Sequence, residues 1–361
     1  MIRRIQHKQL LRSSDIESSD KRLRVIGAFN PGAIQYNNEI MLLVRVSEAV
    51  EQTTDGVLAC PRVALGEEER YAIDQLTVVD NTDVRKPIVN GGLCRLSYIS
   101  HLELVRLSSD GYTVKSIEKH PDLFPKEIYE EFGIEDPRIT HIDNTFYITY
   151  VAVSRQMSVC TALMSTTDFK QFKRHGVIFD LETKDVVLFP QKINGKYAAY
   201  IRPTGAIEVR KPAILAAFSP DLIHWGEYQY VLGSGSSGWD SHKVGAGVPP
   251  LRTKAGWLNI YHGVEVTSAY GQIGQYSGGA FMSDLERIDT VHGHTNEALL
   301  VPTEPFEKEG YVPNVVFPTG LIMHPNNQEV LVYYGAADQS VGVVTLSLNN
   351  IMDAISSTSL K

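Results

Sequence analysis

Asp136 stands in the run Gly133-Ile-Glu-Asp-Pro-Arg138, with Glu135 before it and Arg138 two residues on. Proline fixes its own φ and disfavours helical geometry at the preceding residue, so Asp136 is expected on a stiff, extended segment. A carboxyl held this way can act as a general acid beside Arg138. The plainer alternative is a solvated Asp–Arg pair in a surface turn. Four cationic or imidazole side chains, Arg155, Arg202, Lys243 and His262, stand where apolar strand patterns would otherwise continue. Burying such groups costs several kcal/mol each unless they are paired or liganded. Gathered round one cavity they would hold a dianion, because Arg offers bidentate donors and Lys a point charge to phosphate oxygens. Taken singly, Arg202 and Lys243 could instead pair with Asp185 and Asp240 and tie strands together. Gly245-Ala-Gly247, beside Lys243, would let main chain approach a ligand. His101, His224, His292 and His294 show no ligand spacing, so no metal is expected.

These residues need elements that bring them together from distant parts of the chain. Ile139 to Val153 reads as a β-hairpin turning at Asp143-Asn144, with apolar residues at alternate positions. The same pattern of proline, short strand, polar turn and aromatic-rich strand recurs at Asn30-Pro31 to Arg45, Pro190 to Arg202, Pro249-Pro250 to His262 and Pro318 to Gly335. Between hairpins come strands closed by a Ser/Thr-x-Asp turn and an aromatic. Examples are Ser165-Thr-Thr-Asp168 to Phe172, Ser219-Pro-Asp221 to Trp225 and Ser108-Ser-Asp110 to Tyr112. A hairpin plus such strands makes a four-stranded sheet, and repeating it predicts an all-β fold, a five-bladed β-propeller with the active site in its central channel. A Greek-key sandwich is the alternative for the same short strands. In the propeller, polar residues at matching ends of the hairpins converge: Asn30, Asp136, Asp185 and Lys243 on entry, Arg45, Arg155, Arg202, His262 and Asp338 on exit.

The spacing predicts a single domain over residues 1–361, with an N-terminal arm (1–25), a long insertion in the first blade (47–90) and a C-terminal tail (351–361). A net charge of −8 without a basic run argues against a nucleic-acid surface. No stretch is apolar enough to span a bilayer. Three cysteines without CxxC spacing suggest reduced thiols and a cytoplasmic protein. The composition is compatible with a homo-oligomer and does not require one.

Four motifs then carry a resemblance that runs in order from Asn30 to Leu348: Gly133-Ile-Glu-Asp-Pro-Arg138, Lys243-Val-Gly-Ala-Gly-Val-Pro-Pro250, Trp257-Leu-Asn-Ile-Tyr-His-Gly263 and Tyr333-Tyr-Gly-Ala-Ala-Asp338. They resemble the motifs of glycoside hydrolase family 130, the β-mannoside phosphorylases and mannosidases. The resemblance implies a propeller whose central pocket holds a mannooligosaccharide, with Asp136 as an acid that protonates the glycosidic oxygen through the mannose 3-hydroxyl. It also implies Arg155, Arg202, Lys243 and His262 as phosphate ligands. Asn30, Arg45 and Asp338 match mannose-binding positions, and Glu135, Arg138 and Asp185 join the substrate-binding set. An inverting phosphorylase needs no second carboxylate, because phosphate is itself the nucleophile and needs only to be held. The expected reaction is therefore inverting phosphorolysis of a β-mannoside, nearest in look to that of β-1,2-mannobiose, with inorganic phosphate as co-substrate and no cofactor. The alternatives are a β-1,4-mannosyl-glucose phosphorylase, a β-1,2-mannosidase using Glu208 or Glu265 toward water, and a glycan-binding propeller without activity.

Overall fold

The computed structural model describes residues 2–51, 57–66, 69–77, 88–90, 93–180, 182–204, 209–265 and 274–356. Five antiparallel sheets follow one another along the chain. The first blade is built from Leu23–Tyr36, Glu39–Val50, Tyr98–Ser108 and Val114–Glu118. The second comprises Ile134–Ile142, Thr145–Ser154, Ser158–Thr166 and Lys173–Phe179. Thr183–Leu188, Tyr197–Pro203, Ile214–Ser219 and Gly226–Leu232 form the third. In the fourth, Lys243–Ala246 and Leu251–Arg252 both pair with Trp257–Val264, followed by Tyr276–Ser283 and Val291–Thr295. The fifth runs Val316–Met323, Glu329–Ala336 and Ser340–Ser347.

Strand periodicity explains why five sheets close into a ring. Neighbouring residues of a strand point to opposite faces, so each blade offers apolar side chains to two neighbours. Met41 and Leu43 pack with Ile139, Ile148 and Met164 of the second blade, while Leu42 and Val44 pack with Leu331, Tyr333 and Val343 of the fifth. Ile142 and Leu163 meet Val186, Leu188 and Ala199 of the third. Val187 and Tyr200 meet Val244, Trp257 and Tyr261 of the fourth. Leu258, Ile260 and Met282 complete the circle against Val330, Val332 and Tyr334.

The polar turns behave as expected. Asn37, Asp143, Asn194 and Asn327 are left-handed, a conformation that Asn and Asp tolerate in tight turns. The Ser/Thr-x-Asp turns form too, with Thr166 Oγ1 accepting from Phe169 N (2.9 Å) and Ser219 Oγ from Leu222 N (2.8 Å).

Four boundaries are redrawn. The N-terminal arm, 1–25, is ordered over its described residues, and within it Gln6–Arg12 pairs with Ser340–Ser347 as the outermost strand of the fifth blade. The C-terminal segment is a helix, Leu348–Ala354, capped by Ser347, then Ile355–Ser356 paired to the outer strand of the fourth blade; 357–361 lie outside the described residues. Within 47–90, residues 47–50 finish a first-blade strand, and a separate hairpin, Val57–Val63 with Tyr71–Thr77, follows. Pro190 does not open the third hairpin, whose inner strand, Thr183–Leu188, precedes it. No helix among the described residues is long and apolar enough to cross a membrane.

Candidate active site

Asp136 is left-handed, with φ +50°, and not extended. The proline after it removes the right-handed helical region, and a bulge between Glu135 and Arg138 takes up the turn. The device repeats. Asn30 (φ +48°) sits in a bulge between Phe29 and Gly32, and Asp185 (φ +52°) in one between Lys184 and Val187. In a regular strand consecutive side chains diverge, but here the pairs Phe29–Asn30, Glu135–Asp136 and Lys184–Asp185 all line one cavity of about 290 Å³. The second strands of three hairpins add Arg45, Arg202 and His262 to it, the fourth blade's inner strand adds Lys243, and the fifth blade adds Phe317 and Asp338, the latter also left-handed at φ +51°.

On one side, the second and fifth blades supply Glu135, Asp136 and Asp338, and the first supplies Asn30 and Arg45 to hold them. Asp136 Oδ1 accepts hydrogen bonds from Asn30 Nδ2 (2.8 Å) and Arg45 Nη1 (3.0 Å). Arg45 Nη2 donates to Glu135 Oε1 (2.8 Å), and its plane lies 4.6 Å over the Phe29 ring. Burial alone would raise the Asp136 pKa, but Arg45 and Arg138 outweigh it and hold the carboxyl below its ordinary value. Asp338 behaves oppositely. Burial, with Asp136 and Glu135 nearby, pushes it up to about 7 against the pull of Arg45 and Lys243.

On the other side stand Lys184, Arg202, Lys243 and His262 of the third and fourth blades. Arg202 Nε lies 2.6 Å from Asp185 Oδ2, and His262 Nε2 lies 3.5 Å from the same oxygen. Burial raises the Asp185 pKa, yet the guanidiniums of Arg202 and Arg138 bring it down to about 2. Desolvation, with Arg202 and Lys243 adding to it, outweighs the pull of Asp185 and lowers His262 to about 3, the neutral imidazole. Lys243 falls to about 8 through desolvation and Arg202. No described carboxylate forms an ion pair with Lys243; Asp240 instead accepts from Tyr261 Oη (3.2 Å). With Arg202 offset by Asp185, the two lysines leave this side positive by about two charges, matching a phosphate dianion.

Arg138 serves the frame and does not line the cavity. Its guanidinium, 1% exposed, donates to the main-chain oxygens of Asp136 and Gly247 (both 2.6 Å) and lies 3.8 Å from Asp185. Gly245 was expected to admit a ligand, but its missing Cβ makes room for the protein itself: any side chain there would collide with Asp185 and His262.

Arg155 is the predicted ligand that the structure does not bring to the cavity. Its half-exposed guanidinium closes on Glu131 (2.5 Å) and lines a separate cavity with Arg62, Ile128 and Gln156. Strand register gives the reason. Arg45 pairs with Phe29, Arg202 with Lys184 and His262 with Gly245, whereas the second-blade partner of Glu135 is Val151. Arg155 lies four residues past that position, roughly 13 Å along an extended chain. Lys184 is the cation that sequence reasoning missed, although it adjoins Asp185. Ser47, Tyr98, Tyr276 and Tyr311, also unforeseen, complete the wall. Glu265 is exposed and does not line the cavity, and Glu208 lies outside the described residues.

The model of glycoside hydrolase family 130, described as beta-1,4-mannooligosaccharide phosphorylase, matches residues 97–357. The chain is 34% identical to a beta-1,2-mannobiose phosphorylase of Listeria innocua, over 97% of both chains. It is 36% identical to a 1,2-beta-oligomannan phosphorylase of a Thermoanaerobacter species, covering 70% of this chain and 81% of that one. The solved structure of the Listeria innocua enzyme with beta-1,2-mannobiose is similar at a TM-score of 0.88 and 32% identity, over 96% of each chain.

Proposed function

The chain belongs to glycoside hydrolase family 130, and from that membership we propose a reaction for the five-blade cavity: inverting phosphorolysis of β-1,2-mannobiose or a short β-1,2-oligomannoside. The protein is a glycoside phosphorylase acting on β-mannosides. It transfers the mannosyl group to inorganic phosphate and releases α-mannose 1-phosphate and the remaining sugar.

The carrying observation is the division of one cavity into a side with Asp136 and a side with Lys184, Arg202, Lys243 and His262. Phosphate held on the cationic side attacks the anomeric carbon from the face opposite the leaving oxygen, which is the geometry of inversion. Asp136 delivers a proton to that oxygen through the sugar's 3-hydroxyl, while Asn30, Arg45 and Asp338 orient the mannose. His262, neutral, contributes a directed hydrogen bond and the lysines contribute charge. Three free thiols, Cys60, Cys94 and Cys160, support a cytoplasmic site of action.

The test is to incubate β-1,2-mannobiose with and without phosphate and to measure mannose 1-phosphate and free mannose. The expected result is sugar phosphate formed only when phosphate is present. Free mannose released at the same rate in phosphate-free buffer would overturn the proposal in favour of a hydrolase.

A further inference from the structure

Three carboxyls, Glu135, Asp136 and Asp338, line the acidic side of the cavity, and among the described residues one guanidinium hydrogen-bonds to their side chains. Arg45 gives one nitrogen to Asp136 and the other to Glu135. Arg138 spends two of its donors on main-chain oxygens and faces Asp185 with a third. No hydrogen bond from a cation reaches the Asp338 carboxyl among the described residues, although Arg45, Glu135, Asp136 and Lys243 all act on it through space. Where several carboxyls share one site, they do not all ionise, and the proton stays on the one least compensated by positive charge. Asp136, bonded to both Arg45 and Asn30, is the carboxylate that arrangement favours as ionised.

A general acid, however, must begin with a proton. Resting on the phosphorylase reading above, we propose that Asp338 holds the proton of an Asp136–Asp338 pair in the free enzyme and supplies it to Asp136 during phosphorolysis. The raised pKa of Asp338 and the lowered one of Asp136 agree with that division.

The balance closes. The proton passes from the Asp338 carboxyl to Asp136 and on to the glycosidic oxygen. The C1–O bond breaks with its electron pair remaining on that oxygen, which leaves as an alcohol. A lone pair of hydrogen phosphate forms the new C1–O bond. The sugar phosphate then loses the proton it brought in from hydrogen phosphate, and the carboxyl pair regains one.

The deciding experiment compares two leaving groups in Asp338→Asn, with phosphate saturating. One is the sugar alcohol of β-1,2-mannobiose, which needs a proton to depart; the other is the nitrophenolate of an aryl β-mannoside, which does not. Loss of the mannose contact should slow both substrates alike, and loss of proton supply should cost mannobiose turnover a further factor of roughly 10²–10⁴ that aryl mannoside turnover does not share. The alkaline limb that Asp338 places near pH 7 in the wild-type kcat/KM profile for mannobiose should move up in the variant to near 8, where Lys243 loses its charge. Equal losses on the two substrates, or an unchanged alkaline limb, would reduce Asp338 to a sugar contact and overturn the inference. A thermal melt and calorimetric mannobiose binding at pH 6 check that the variant is folded and loaded. The phosphorylase reading is tested apart from this, by the phosphate dependence of the wild type, so either can fail while the other's result is known.

Discussion

A carboxylate that accepts from both an amide and a guanidinium at one oxygen keeps its other oxygen for the substrate, and Asp136 is held in this way by Asn30 and Arg45. Asp136→Asn preserves the shape but cannot carry a proton, so turnover of mannobiose should drop roughly 10²–10⁴-fold; near-wild-type phosphorolysis would remove Asp136 from the acid role. Phosphate contacts make a second expectation. Replacing Lys184, Arg202 or Lys243 by Ala deletes a charge-assisted bond worth about 1.5–3 kcal/mol, which should raise the KM for phosphate roughly ten- to a hundredfold. Arg155→Ala should leave that KM unchanged, since Arg155 pairs with Glu131 away from the cavity; a comparable rise there would restore it as a ligand. Asp338 also carries a stability consequence. Its pKa of about 7, against an ordinary carboxyl value near 4, means the folded state keeps a proton the unfolded state has lost, so stability should fall as pH rises from about 4 to 7. Asp338→Asn cannot ionise, and its melting temperature should exceed the wild type's at pH 8 but not at pH 4. The residue types of this site were legible in sequence because charge is conspicuous where strands should be apolar. Which cation belonged to the site was not, because residue type alone does not show that Lys184 stands on an inner strand at the cavity while Arg155 lies just past the end of Thr145–Ser154.

The element that makes the site is the bulged inner strand. Asn30, Asp136 and Asp185 each adopt the left-handed conformation inside a ladder, so two consecutive side chains face the cavity where a regular strand would send one. The hairpins themselves could be read from alternation and from turns such as Asp143-Asn144. The bulges could not, since Asp-Pro favours extended backbone at Asp136 and gives no sign of a left-handed turn inside the ladder. The fourth blade meets the same need differently, by omitting a side chain: Gly245 lets Asp185 and His262 occupy the space its Cβ would take. Gly245→Ala should therefore displace both groups, raise the KM for phosphate and leave the fold intact, as judged by circular dichroism. Unchanged phosphate kinetics in a folded Gly245→Ala would mean that the Asp185–His262 contact does not shape the phosphate site.

At the scale of the whole molecule, a ring of sheets has one seam, where the first and last parts of the chain meet, and its strength limits the ring. Recurrence of hairpins identified the number of blades, but not the seam, because Gln6–Arg12 bears no hairpin partner in its own neighbourhood. The strand joins the fifth blade, whose three other strands come from the far end of the sequence. Long-range contacts fasten it: Arg4 Nη1 to the buried Glu307 (2.6 Å), and Lys8 Nζ to the Tyr112 carbonyl of the first blade (2.9 Å). Tyr112 in turn bonds Thr345 Oγ1 of the fifth blade (2.6 Å), so the seam spans both blades. Glu307 is also bonded by Tyr334 Oη (2.6 Å), and removing Arg4 would leave its carboxylate buried with neutral donors, that hydroxyl, the Thr303 hydroxyl and main-chain amides. Deleting residues 2–12 should hence lower the melting temperature and bare the edge Ser340–Ser347, a row of unpaired main-chain groups open to pairing with other chains. Size-exclusion chromatography should show concentration-dependent association of the truncated protein. Because Asp338 precedes that edge by two residues, kcat should fall along with stability even at temperatures where the protein remains folded. A truncated protein that melts with the wild type and stays fully active would show that the ring is closed by apolar packing between the first and fifth blades alone.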